Sequence, residues 1–202
     1  MRADLPPIVG PLVAIDPGSS TPGAAAWGSG DYPIAAISWT WRTHEVWIAD
    51  FRGEYVTSSP HDHAEAEIAA LLPSGAAVLV EGLYQPAGAA RARFSVGATL
   101  PLAEHVGRLV QAIRSRWRVV EVARPTSDDW RPVVGIPART AADRAEAIAE
   151  DLAGSWGFRL GGPAAARGAL AEAICMYRAA RLGIPASTTR RPGTTRRPGA
   201  RR

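Results

Sequence analysis

Four apolar residues, Leu12 to Ile15, are followed at once by Asp16-Pro-Gly18-Ser-Ser-Thr-Pro-Gly23 and a second apolar run from Ala24 to Trp27. A short unbroken apolar run predicts a buried strand, and the Pro, Gly and Ser residues after it predict a turn. The two runs therefore form a hairpin with Asp16 at a strand end. From Ile34 to Trp41 apolar and polar positions alternate, with Ile37, Trp39 and Trp41 set against Ser38, Thr40 and Arg42, and Val46 to Ile48 resumes after a polar Thr-His-Glu turn. That period of two predicts antiparallel strands continuing the hairpin. Pro60 and Asp62 open a helix over 64–72 whose Ala64, Ile68, Leu71 and Leu72 share a face and whose end is marked by Pro73-Ser-Gly75. Ala76 to Val80 is again unbroken and apolar, the mark of a strand covered on both faces, and it runs directly into Glu81.

The second half is mainly helical. Gly82 to Phe94 reads as a loop carrying Tyr84, Arg91 and Arg93; Leu100, Ala103, Val106, Val110 and Ile113 then give helical spacing up to about Trp117. Arg118 to Val122 is a strand, and Arg124-Pro-Thr-Ser-Asp-Asp-Trp130 begins a Thr- or Ser-capped helical turn that ends near Val134-Gly135. A helix over 140–153, a Gly-bounded loop with Trp156 and Phe158, and an Ala-rich helix over 163–182 follow. Leu170, Ile174 and Tyr177 share a face of that last helix, and Glu172 projects from it. The order β-β-β-α-β-α-β-α-α predicts an α/β domain over residues 1–185, with a five-stranded mixed sheet flanked by helices.

Composition supports one globular domain, since 47% of the 202 residues are apolar and seven are Trp. All 23 basic residues are Arg, with no Lys and no Asn, a bias that fits a GC-rich genome and carries no chemistry. The net charge of +4 is uneven: six Arg and no acid lie in residues 186–202, which leaves 17 Arg against 19 acids in the body. Any polyanion site in the body must then come from local Arg clusters. The tail repeats Thr-Thr-Arg-Arg-Pro-Gly, lacks apolar side chains that would offset ordering entropy, and is expected to be disordered. A single cysteine, Cys175, excludes an internal disulfide framework, and no leader or long apolar run is present. A reduced, cytoplasmic protein is expected.

Asp16 and Glu81 end strands, and Glu172 lies on the last helix. Each has a plain reading alone: a turn-forming Asp, a solvated strand end, a surface residue on an Ala-rich helix. Brought together they would repel strongly unless hard divalent cations neutralised them, and Mg²⁺ or Mn²⁺ suits carboxylate and water ligands. Two such ions about 4 Å apart clamp an in-line displacement at phosphorus. His61 and His63 lack a third nitrogen or sulfur ligand and are explained by a helix N-terminus, so no zinc site is expected.

Ala14-Ile-Asp-Pro-Gly-Ser19, Val80-Glu-Gly-Leu-Tyr84, the Gly107-containing helix after Leu100-Pro-Leu-Ala-Glu-His, Pro125…Trp130-Arg131…Gly135 and Leu170-Ala-Glu-Ala173 resemble the RuvC-like Holliday junction resolvases of the RNase H-like superfamily, in their phage-type branch. The resemblance covers about residues 11–182. It implies an RNase H-like fold and a metal-dependent endonuclease that cuts four-way DNA junctions as a homodimer. It further implies about two Mg²⁺ ions per site, replaceable by Mn²⁺, held by Asp16, Glu81 and Glu172. Tyr84 matches an aromatic that contacts DNA near the branch point, and Arg91, Arg93 and Arg144 are further candidate DNA contacts. One departure is clear. The family places another acid, or a His, about one turn before the last acid, but Gly168 and Ala169 stand there. Asp143, or Glu146 one turn later, is a candidate replacement, and the sequence leaves the choice open.

Two other functions compete. The missing acid also fits a branched-DNA-binding protein on the same fold with weak or lost cleavage. Asp-Pro-Gly after a strand occurs too in sugar kinase and actin-like ATPases, but those need a second Gly-rich phosphate loop, which Pro125-Thr-Ser-Asp-Asp is not.

Overall fold

The first unbroken apolar run is a sheet strand paired on both sides. A computed structural model describes residues 4–18, 23–40, 46–50, 55–58, 69, 72–82, 96–116, 125–138 and 140–185. Its strands are β1 (Leu12–Asp16), β2 (Gly23–Gly28), β3 (Ala35–Trp39), β4 (Val46–Asp50), β5 (Tyr55–Ser58) and β6 (Ala77–Val80), in the order β5-β4-β3-β2-β1-β6. β1 pairs antiparallel with β2, from Leu12 opposite Gly28 to Asp16 opposite Ala24, and parallel with β6, from Leu12 opposite Ala77 to Ile15 opposite Val80. The sheet is therefore mixed. The helices are α1 (Val96–Arg116), α2 (Ser127–Trp130, continued by a 3-10 turn over Arg131–Val134), α3 (Ala142–Ser155) and α4 (Ala164–Leu182).

Successive side chains of a strand point to opposite faces, so β1 feeds two cores at once. Leu12 and Ala14 join the cluster built with α3 and α4, while Val13 and Ile15 join Val106, Leu109 and Ile113 of α1. This explains why β1 is apolar at every position before Asp16. Fully burying a Leu, Ile or Val side chain contributes about 1.5–3 kcal/mol, so Leu12 adds to the stability of one core and Val13 and Ile15 to that of the other. On the α4 side the cluster is rich in alanine: Ala24, Ala26 and Ala36 from the sheet, Ala145, Ala149 and Ala153 from α3, and Ala169, Ala173 and Ala180 from α4. Small side chains let backbones approach closely. Every residue of α4 from Gly168 to Tyr177 is buried, Glu172 included.

The far end of α4 is fastened separately. Leu5 and Ile184 exchange backbone hydrogen bonds of 2.8 Å each way, and the Arg181 guanidinium donates to the Ile8 carbonyl at 2.7 Å and the Gly28 carbonyl at 3.0 Å. α4 is thus held in register against β2.

The hairpin, a third strand, β6 and the final helix lie where the sequence predicts them, although Ser38, on the polar side of the third strand's alternation, is fully buried. The sheet has six described strands rather than five, because Val46–Asp50 and Tyr55–Ser58 each form a strand of their own. The expected strand 118–122 lies outside the described residues, as do most of the expected helix 64–72, His61, His63 and the tail; Ala69 is helical and buried.

One glycine in the sheet is fixed by crowding. A Cβ at Gly23, the first residue of β2, would stand 2.6 Å from the buried ring of Trp39. Gly23→Ala is expected to destabilise the fold by about 1–3 kcal/mol through overpacking. Urea unfolding checks this, and an unchanged midpoint would show that Trp39 does not close over β2.

Candidate metal centre

The parallel pairing of β1 and β6 continues one step past β6, where the Glu81 N–H donates to the Ile15 carbonyl at 2.8 Å. Asp16 and Glu81 thereby stand side by side at the C-terminal ends of adjacent parallel strands, the edge where open α/β sheets bind ligands. Glu172 reaches the same place from α4. Asp16 and Glu172 are buried, at 8% and 7% exposure, and Glu81 is half-buried.

Asp16 begins a turn, as an Asp-Pro-Gly sequence would, by accepting the Gly18 N–H at 2.9 Å through Oδ1. The turn and the site share one residue, because that bond occupies only part of the carboxylate. Glu81 is oriented by the Trp130 indole, which donates from Nε1 to Oε1 at 2.9 Å. Glu172 is held by Arg131, whose Nη2 lies 2.7 Å from Oε1 and 3.0 Å from Oε2. Trp130 and Arg131 are brought there by the short segment after Pro125: the Gly82 N–H donates to the Pro125 carbonyl at 2.7 Å, and Asp129 Oδ2 accepts from the Thr126 N–H and hydroxyl at 2.7 and 2.8 Å. The Trp130 ring is fully buried, so it serves as a core aromatic and a Glu81 donor together.

The carboxyls act on one another. Burial is the largest influence on all three and raises each above its ordinary value. At Asp16 the Gly18 N–H, a hydrogen bond with Glu81 and the Arg131 charge oppose it. Glu81 lies well above the usual carboxylate range, because burial is joined by the charges of Asp16 and Glu172 and opposed by the Trp130 N–H. The contact between them lowers Asp16 and raises Glu81 further. Glu172 is raised by burial and by Asp16, lowered by Arg131 and raised again by Glu146.

Among the described residues, no three His, Cys, Asp or Glu side chains are arranged as a ready-made metal-ligand group. The chemistry of the donors still fits a hard divalent cation: all are carboxylates, two sit on adjacent strand ends, and all three are near enough to disturb one another's protonation. A positive charge already stands among them, since the Arg131 guanidinium is attracted to Glu172, Glu81 and Asp16 together.

Of the other expected residues, Asp143 is exposed in the first turn of α3 and Arg144 is exposed beside it. Glu146, one turn on, lies against Gly168 of α4. Tyr84, Arg91 and Arg93 lie outside the described residues. The role of Arg131 was not read from the sequence; a basic residue next to an aromatic, in a short capped segment between acid-bearing elements, is the signal that carried it.

Because the folded values are raised, the native state holds more protons than the unfolded chain between the ordinary carboxylate values, 3.8 for Asp and 4.5 for Glu, and the raised ones. The stability concerned is fully present below the ordinary values and is lost as pH rises through the raised ones. Glu81→Gln removes a charge and keeps an oxygen for Trp130. In metal-free buffer it is expected to melt above the parent protein at pH 8, with the gap closing toward pH 4; parallel pH profiles would contradict the coupling. Arg131→Gln leaves Glu172 without its partner and is expected to cost about 3–5 kcal/mol in metal-free urea unfolding, whereas an unchanged midpoint would mean the pair is not formed.

No protein-family model matches this chain, nor does any curated protein, and the side chains around Asp16 are what a functional proposal rests on.

Proposed function

We propose that the chain is a metal-dependent endonuclease that cleaves phosphodiesters in branched DNA. The observation that carries this is the meeting of Asp16, Glu81 and Glu172, three mutually coupled carboxyls, at the C-terminal ends of β1 and β6. Burying two acids beside a half-buried third is costly, and a fold that needed only packing would place apolar residues there. The sheet order supports an RNase H-like fold as well: β3, β2 and β1 are antiparallel neighbours and β6 joins β1 in parallel, with helical clusters on both faces. A four-way junction as substrate, and a homodimer to place two sites on it, rest on the family resemblance.

Asp16, Glu81 and Glu172 would hold the Mg²⁺ or Mn²⁺ ions. When bound, divalent cations supply an activated water and offset the charge that develops on phosphate. The protein supplies placement. Gly18 fixes the Asp16 carboxylate, and Trp130 fixes that of Glu81. Arg131, with a planar guanidinium suited to phosphate oxygens, lies beside the place where the substrate's charge would sit.

A second reading, a branched-DNA-binding protein with weak or lost cleavage, is favoured by one observation: Gly168 and Ala169 put no acid on α4 in the turn before Glu172. Incubation with four-way junction, flap and linear duplex in Mg²⁺, Mn²⁺ or EDTA separates the two. Cleavage is expected with the metals and not with EDTA. Asp16→Asn and Glu172→Gln should each lower it by about a hundredfold or more while junction binding persists, because several kcal/mol of transition-state charge stabilisation would be lost. Tight junction binding without cleavage in any metal would favour the second reading.

A further inference from the structure

Gly168 lies four residues before Glu172 in the middle of the most buried helix. Glycine in a helix interior costs about 1 kcal/mol relative to alanine, and its backbone here is ordinary helix, so conformational freedom does not explain it. Space does. A Cβ added at Gly168 would stand 3.1 Å from both Cδ and Oε2 of Glu146 and 3.2 Å from its Cγ. The Glu146 side chain of α3 thus crosses to α4 and sets its carboxylate where a side chain at position 168 would begin. Residues four apart share one face of a helix, so that carboxylate rides on the same face as Glu172, one turn away. Of the other acids on this side of α3, Glu150 lies 3.8 Å from the Arg167 guanidinium, and Asp143 is in the exposed first turn.

We propose that Glu146, seated in the space left by Gly168, is the fourth carboxylate of the Asp16, Glu81 and Glu172 site and helps to hold its divalent cation. The acid absent from α4 is delivered from the neighbouring helix. This rests on the metal-site reading and extends it to a residue on a separate element.

Mn²⁺ binding to the full chain, followed by calorimetry without DNA, tests the assignment independently of cleavage. Glu146→Gln is expected to weaken Mn²⁺ binding by at least about 10-fold, the low end of the loss when a group behind a metal ligand is removed, while Asp143→Asn leaves it unchanged. Glu146→Ala should weaken it similarly, and adding Gly168→Asp to that variant should recover part of the loss by putting a carboxylate back into the same space. Metal-free melting of each variant checks that it is folded. If Glu146→Gln binds Mn²⁺ as the parent does while Glu172→Gln does not, Glu146 is outside the site and the proposal fails alone. If Asp16→Asn and Glu172→Gln also bind as the parent does, the metal-site reading fails with it.

Discussion

The structure depends on a confinement of like charge. Asp16, Glu81 and Glu172 are placed where burial disfavours their ionised forms and where each feels the others, and Arg131 is the cation set among them. Such a group does not pay for itself in stability. Replacing a buried ion pair with apolar residues is often neutral or favourable, so its retention points to a use other than folding. What the fold contributes is rigidity: two acids on strands bonded to each other, a third on a helix buried along most of its length, and a guanidinium held by a capped turn.

The same confinement explains the architecture around it. β1 must be covered on both faces for its end to be a fixed point, which requires Val13 and Ile15 to face α1 and Leu12 and Ala14 to face α3 and α4. α4 must lie close to the sheet for Glu172 to meet Asp16, and the alanines on both surfaces permit that approach. Arg181 and the Leu5–Ile184 bridge fasten its opposite end.

Asp16 and Glu81 were legible because a strand pattern and an acid directly after it are both local. Glu172 was legible through its resemblance to a family motif, since an acid on an Ala-rich helix otherwise reads as solvated. Arg131 was not, because its bond to Glu172 spans 41 residues, and the Trp130 bond to Glu81 spans 49; such pairings are properties of the tertiary fold. Tyr55–Ser58 was missed because four residues carry too short an alternation to register, and its partner β4 creates the strand. Gly168 reads in the sequence only as a weak helix position, since the Glu146 side chain that occupies the space beside it comes from α3.

The most direct measurement is an anomalous-scattering map at the manganese edge from crystals of the full chain grown with Mn²⁺. The account requires a peak within coordinating distance of Asp16, Glu81 and Glu172, with the Arg131 guanidinium drawn away from Glu172. A map with no peak there at saturating Mn²⁺, and the Arg131–Glu172 pair intact, would contradict it.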